Sequence, residues 1–573
     1  MDQHLQAQPY TTWQLIKIFW QSEHRLIAYS SLVFVLIMTM AIVGLEVAFN
    51  NWYNYFYDAL QDYDKHGAID LLIMFVFIAT VYIVFSVYRY YVTQMLGLRW
   101  RRWLTEQFVG RWLNKKSYYY LENFEEHTDN PDQRIQEDIG ALVSSTLDLV
   151  VGFISSVTTI LAFIYILWTL SGPMAIHIGS HQFHIPGYLV WVSVIYALAG
   201  TYFTYYIGRP LVGLNFEQQR READFRFAAV DLRTHSENIA LYRGERHQKN
   251  VLDNFLYRFL DNWYVIILRQ KLLLWFTAGY NQVSVILPLI VAIPNYFNKV
   301  FKLGGLIQTL QAFRMIQDSL SFIVNSYPRI AEWQAISRRL ITFINHMYEA
   351  EQQAIASNHF IYHQLLQDKI ITKNVTLFLP NKTLLLENIN QEFIHGKNYL
   401  LIGASGIGKS TYVRAIAGIW PYGSGEISLP ASTSIMYIPQ KSYMPIGTLA
   451  SALLFPNAAH TAPEILLKKL LTDCGLPHLT ERLHYVTAWS EQLSPGELQR
   501  VAFVRILLQK PKWVFMDEST SSLDLNYEEM LYQLLKKELP SCSIITVGHR
   551  PSLAAFHDEK INMAVYSVAR MAL

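Results

Sequence analysis

Charge is scarce in this chain, and so is anything that would staple a small domain together. Only 16% of the 573 residues are Asp, Glu, Lys or Arg, against about 25% in ordinary soluble domains. The formal net charge is +2, so the basic excess that would neutralise a phosphate backbone is missing, which excludes nucleic acid as a partner. Two cysteines, Cys474 and Cys542, stand far apart without metal-ligand spacing around them. That excludes a disulfide framework and a zinc site. A short cleavable leader is also not expected, because the first apolar run is a full-length span.

What the chain has instead is apolar length. Hydrophobic residues make up 52% and aromatics 14%. Residues 26–49, LIAYSSLVFVLIMTMAIVGLEVAF, are long enough to cross a hydrocarbon core of roughly 30 Å. Comparable runs lie at about 69–92, 147–170, 187–208 and 272–297, with a less apolar sixth near 304–327. A membrane domain over 1–345 is therefore expected, in contact with lipid. Segment 11–25 places Trp13, Ile16, Phe19 and Trp20 on one face, the pattern of a helix lying in the membrane interface.

Basic residues set the expected orientation. The connection 50–68 holds only Lys65 and 171–186 holds no Lys or Arg, whereas 93–146 carries seven and 209–271 eleven. This alternation places both termini and the two long loops in the cytoplasm. After a polar connector at 346–366, short β-rich runs alternate with helical patterns over 367–573, which reads as a soluble α/β domain.

That domain carries phosphate chemistry. In NYLLIGASGIGKSTYVRAIAG, the residues Gly403, Ala404, Ser405, Gly406, Ile407, Gly408, Lys409, Ser410 and Thr411 form a Gly-rich turn between a strand and a helix. The spacing is that of a P-loop. The glycines let successive N–H groups point at a β-phosphate, and the helix N-terminus adds its positive dipole end. Lys409 then reaches the β/γ-phosphates and Ser410 faces Mg²⁺, making ATP and Mg²⁺ the expected ligands. A second strand, KWVFMDES, ends in Asp517 and Glu518. Asp517 suits the metal, and Glu518 is placed to polarise an attacking water.

Further motifs follow the same order as in a known family. Gln440 in MYIPQ, LSPGELQR at 493–500, SSLD ending at Asp524 and His549 in TVGHR, together with the P-loop and Asp517-Glu518, resemble the ATPase of ABC transporters. The resemblance implies that Gln440 senses Mg²⁺ and the membrane domain. It implies that Ser494 and Gly496 bind the γ-phosphate of ATP held by a second subunit, that His549 contacts the same phosphate, and that Asp524 lies at the dimer seam. Pro495 and Glu497 depart from the common LSGGQ signature. Proline removes one donor, while the Ser494 hydroxyl, the Gly496 N–H and the helix N-terminus remain, so an active site is expected. The adenine-stacking aromatic is left open between Phe378 and another residue.

NWYNYFYDALQDYD, DNPDQRI, HSENIALYRGE and AIAGIWPYGSGEI resemble the SbmA/BacA-like transporters, in particular the branch fused to its own ATPase and related to the peroxisomal acyl-CoA half-transporters. The implied architecture is six transmembrane helices of exporter-like (type IV) ABC fold plus a P-loop ATPase, acting as a homodimer in a bacterial inner membrane. The resemblance implies import of cobalamin or peptides. Export of lipids or amphiphiles, acyl-CoA transport, and an ATP-gated channel or regulator are the competing readings. Coupling helices are expected near 128–138 and within 221–245. In the sixth span, Gln308, Gln311, Arg314 and Asp318 recur at helical spacing, which suggests a polar cavity for a hydrophilic cargo or a structural ion pair. Glu46, near the outer end of the first span, is either interfacial or a proton-sensitive site.

Overall fold

Long apolar runs build one unit of this protein and alternating short ones the other. The computed structural model describes residues 11–124, 130–171, 173–178, 181–431, 434–457 and 462–567. It divides into Met1–Tyr118 with His127–Met347, and Tyr119–Glu126 with Tyr348–Leu573.

The first unit opens with α1 (Thr12–Trp20), whose N-terminus is closed by a reciprocal Thr11–Gln14 capping box. Its packed face consists of Leu15, Ile16 and Phe19, while Trp13 points outward, 71% exposed. The expected face is thus corrected. Phe19 stacks on Trp100 with ring centroids 5.4 Å apart, and that contact turns Trp13 away. Then come α2 (Arg25–Gln61), α3 (Lys65–Leu113), α4 (Ser117–Phe124), α5 (Ile139–Ser171), α6 (Tyr188–Thr234), α7 (Ser236–Tyr242), α8 (Glu245–Phe297) and α9 (Leu303–Ser357). Among the described residues, five helices are long and apolar enough to cross a membrane, and α9 is outside that set. At about 1.5 Å per residue, the 49 residues of α3 are about twice what the hydrocarbon core needs. The basic residues Arg99, Arg101, Arg102 and Arg111 lie in its C-terminal part, past the apolar run.

The connector expected at 346–366 does not exist as a loop. Helix α9 continues to Ser357, and β1 (Asn358–Leu365) follows at once. EAEQQAIA is polar but made of strong helix formers, so polarity there marks a solvated helix. Strand β1 pairs in parallel with β5 (Gly423–Pro430) and is therefore part of the second unit's sheet system.

Among the described residues, that second unit holds two large sheets besides a short pairing of Gly447–Thr448 with Val486–Thr487. One is a four-stranded sheet ordered β1-β5-β2-β3, with β2 (Lys369–Phe378) and β3 (Leu384–Ile394) antiparallel. The other is five-stranded and parallel, ordered β9-β4-β8-β7-β6, from β4 (Tyr399–Ile402), β6 (Ile435–Ile438), β7 (Trp513–Asp517), β8 (Ser543–Val547) and β9 (Glu559–Asn562). Strand β7 shows why both faces are covered. Trp513 and Phe515 enter one core with Phe393, Leu401 and Tyr412, and Val514 and Met516 enter the other with Leu453, Trp489 and Phe503. The period of two in side-chain direction distributes one uninterrupted apolar strand between two cores. The carboxyl end of β7 then emerges at the crevice where such sheets bind ligands.

Residues 119–123 of α4 also group with this unit. Tyr120 lies within electrostatic reach of Glu351, and Tyr119 of Arg414. Of the stretch 128–138 expected to couple the domains, 128 and 129 lie outside the described residues, and 130–138 group with the first unit.

Candidate active site

The P-loop turns between β4 and α10 (Lys409–Ile416). Gly408 caps that helix at φ +109°, and an added Cβ would come within 2.9 Å of Leu385. Only glycine meets both the dihedral and the space. The helix N-terminus and the loop amides thereby form a cradle that fits a phosphate chain.

The Lys409 ammonium makes two contacts inside this loop and one outside it. Nζ lies 2.8 Å from the Gly403 and Ala404 carbonyls and 2.9 Å from His549 Nε2. Burial holds the Lys409 ammonium below the usual lysine range, opposed by Glu518 and Asp517.

Ser410 donates from Oγ to Asp517 Oδ1 at 2.8 Å, joining the first turn of α10 to the end of β7. Burial pushes the Asp517 carboxyl up, while the Ser410 hydrogen bond and Arg414 pull it down. One hydroxyl and one carboxylate, with room for phosphate oxygens and water, suit the hard oxygen shell of Mg²⁺. Glu518, next along, has φ +46°, an uncommon conformation for a non-glycine residue and one that clusters at functional sites. Its Oε2 accepts from Gln440 Nε2 at 2.8 Å, and His549 Nε2 lies 3.5 Å from Oε1. Lys409, Ser410, Gln440, Asp517, Glu518 and His549 therefore converge on one crevice from four separate segments.

The signature heads α11 (Pro495–Gln509), with Ser494 as N-cap and Pro495 at N1. At N1 the missing N–H has no helical partner to lose, and the fixed φ of proline suits the first turn. Glu497 completes a capping box. Its Oε2 accepts from the Ser494 amide and hydroxyl, each at 2.9 Å. Its other oxygen lies 2.8 Å from His478 Nε2. Burial alone would raise the Glu497 pKa, but these donors, with His478 and Arg500, hold the carboxyl below the usual range. The Ser-x-x-Glu spacing ahead of an apolar run was the signal for this cap.

Three connections brace the signature. Gln499 bonds the Ser521 hydroxyl and the Ser522 amide. Arg550 donates to the Ser521 and Leu523 carbonyls. Arg505, buried in α11, donates to the Ala452 carbonyl at 2.8 and 3.0 Å and to the Tyr443 carbonyl at 2.8 Å, three residues past Gln440. None of these roles is visible in local sequence, since every partner lies more than 20 residues away. Asp524 N-caps α12 (Leu525–Glu538), accepting from the Tyr527 amide at 2.8 Å. Phe378 is half-buried against the core that contains Trp420.

The polar stripe of α9 divides. Gln308 is buried, its side-chain amide donates to Asn51 Oδ1 at 2.9 Å, and its backbone carbonyl accepts from the Asn50 side-chain amide at 3.0 Å. Gln311 is half-buried. Arg314 and Asp318 stand 3.7 Å apart on the same helix with side chains 75% and 68% exposed. The two stripe ends therefore face different surroundings.

The sequence pattern of the ABC transporter transmembrane region 2 matches residues 15–297, and that of the ABC transporter ATPase matches 386–521. The inner membrane ABC transporter ATP-binding protein YddA of Escherichia coli is 32% identical over 95% of this chain and 96% of its own. The chloroplastic ABC transporter D family member 2 of Arabidopsis thaliana is 28% identical over 95% of this chain and 85% of its own. Among solved structures, a bacterial Atm1-family ABC exporter with ATP bound superposes with a TM-score of 0.70 at 17% identity, covering 93% of each chain. The helical membrane unit, the P-loop crevice and these likenesses lead to one assignment: the chain is a multi-pass ABC half-transporter with a fused ATPase, belonging to the ABC transporter family and related to its D branch.

Proposed function

We propose that this half-transporter works as a homodimer in a bacterial inner membrane, with its ATPase units cytoplasmic, and imports a hydrophilic solute, cobalamin or a peptide. The observation that carries the cargo class is the Arg314–Asp318 pair, two exposed ionisable side chains on α9, the helix taken here as the sixth span. Lipid tails cannot solvate such groups, so a water-filled path or a partner helix must face them. The SbmA/BacA-like stretches favour cobalamin or peptide within that class. A second reading, transport of an amphiphile or acyl-CoA, draws on the D-family relationship.

In the proposed mechanism, Lys409 exchanges its carbonyl bonds for β/γ-phosphate oxygens of ATP. Ser410 and Asp517 would hold Mg²⁺, which would supply charge neutralisation across the phosphates. Glu518, oriented by Gln440, accepts a proton from the attacking water. His549 orients the γ-phosphate. The partner's signature, through its Ser494 hydroxyl and Gly496 amide, completes the site, so two bound nucleotides close two ATPase units. Hydrolysis reopens them, and the segments near 128–138 and within 221–245 pass the motion to the membrane helices as alternating access.

The test loads labelled cobalamin into proteoliposomes whose ATPase units face outward, with ATP added outside. ATP-dependent release, lost with Glu518→Gln, supports cobalamin import. Hydrolysis without release, followed by release of a labelled peptide, keeps the import reading and changes the cargo. Release of neither, with movement of acyl-CoA, replaces it with the second reading.

A further inference from the structure

We propose that a cavity enclosed by α1, α2 and α3 binds the headgroup of an anionic phospholipid. Helix α1 packs on α3 through Phe19 and Trp100 and on α2 through Trp20 and Tyr29, ring centroids 5.4 Å apart in both pairs. Beside these contacts lies a cavity of about 310 Å³. Phe19, Ile27, Leu96 and Trp103 form its apolar wall, and Arg99, Arg102, His24 and Glu106 line its polar side.

The charges in it are not balanced. Arg102 Nε bonds Glu106 Oε1 at 2.8 Å, which cancels one of the two guanidiniums. Arg101, the neighbour outside the cavity, donates to the Gln136 carbonyl at 2.9 Å. Arg99 is exposed, and among the described residues no protein acceptor stands against it. Counting Arg99, Arg102 and Glu106, the lining therefore keeps about one net positive charge, matching one phosphodiester. Guanidinium is the group best shaped to take phosphate oxygens in a fork.

The surroundings identify lipid as the source of that phosphate. Leu98, adjacent to Arg99, is exposed. From the cavity, Tyr91, Tyr88 and Val84 run up α3 as an exposed apolar stripe at three- and four-residue spacing, on the helix face that carries Arg99 and Arg102. An acyl chain anchored by its headgroup at Arg99 and Arg102 would lie along this stripe, whereas a soluble phosphate would leave it uncovered. Only the choice of the cytoplasmic leaflet rests on the orientation proposed above.

The experiment measures retention of spin-labelled phosphatidylglycerol against phosphatidylcholine by the full-length protein in phosphatidylcholine nanodiscs. A basic residue near an anionic surface contributes about fivefold, from about 1 kcal/mol each. Arg99→Gln should weaken selective retention about fivefold, and Arg99→Gln with Arg102→Gln further. Glu106→Gln should strengthen it by a similar factor, an opposite sign that a misfolded variant cannot produce. Millimolar inorganic phosphate should leave the lipid bound. Equal retention by parent and variants overturns the proposal, and displacement by phosphate reassigns the cavity to a soluble anion. Neither ATP nor cargo enters the readout, so failure of the import reading leaves this test intact.

Discussion

Glu497 folds back onto Ser494, accepting from both its amide and its hydroxyl at 2.9 Å. The signature hydroxyl is thus oriented by a residue three positions along the same helix. The departure from glutamine at this position keeps the cap, because a carboxylate oxygen accepts both bonds.

Pro495 occupies a first-turn position, N1, where proline gives up no helical hydrogen bond. Pro495→Gly should leave ATP hydrolysis within about twofold of the parent, while Glu497→Ala should lower the stability of the signature helix by about 1 kcal/mol. Steady-state hydrolysis and thermal unfolding of the two variants check this. A sharp activity loss in Pro495→Gly would mean that the ring itself contacts the second subunit.

Glu518 and Lys409 separate chemistry from binding. Glu518→Gln should reduce turnover by about 10²–10⁴ while nucleotide remains trapped. Lys409→Ala should instead weaken nucleotide binding, because its three donors have no substitute in the loop. Fluorescent-nucleotide titration alongside single-turnover hydrolysis distinguishes the two. Substantial turnover in Glu518→Gln would remove it as the base.

Arg505 ties the signature helix to the segment after Gln440 through the Ala452 and Tyr443 carbonyls. Arg505→Met fills the space but leaves buried carbonyls unpaired, at about 1–3 kcal/mol apiece. Lower thermal stability with a larger loss of transport-coupled than of basal hydrolysis is expected. An unchanged melting temperature would show that water replaces the guanidinium.

Arg314 and Asp318 test the cargo path. Arg314→Gln or Asp318→Asn should cut cargo movement several-fold while nucleotide affinity stays unchanged, since the pair lies in the membrane unit. Undiminished transport by both variants would leave the pair a structural feature of α9.

His557 makes stability depend on pH. Its Nδ1 lies 2.6 Å from the Leu553 carbonyl and its Nε2 2.8 Å from the Thr546 hydroxyl. The ring is therefore buried neutral, and burial lowers its pKa despite the Leu553 bond and Asp558. As pH falls below about 6.5, the unfolded chain binds a proton that the folded one refuses, so stability falls by up to about 1.4 kcal/mol per pH unit. Melting temperature between pH 7.5 and 5.5 should drop in the parent and drop less in His557→Gln. Parallel pH profiles would remove His557 as the source.

How much of this was legible depends on the range of the interaction. Five spans, the P-loop, and the Asp517-Glu518 strand end are local patterns, because a membrane selects for apolar length and a phosphate cradle for glycine spacing. The Ser494–Glu497 cap was equally local and present in the spacing. Polarity misled at 346–366, where solvated helix and loop have the same composition. The outward turn of Trp13 was decided by Phe19 meeting Trp100, a partner 81 positions away. Arg505, Arg550 and the division of the α9 stripe were likewise settled only by folding. A buried guanidinium or amide takes its role from carbonyls that other segments bring to it. The sequence by itself determined the solvent of each half and the chemistry of the crevice; tertiary structure decided which polar groups were spent on the fold and which stayed exposed, because only packing determines which donors meet acceptors.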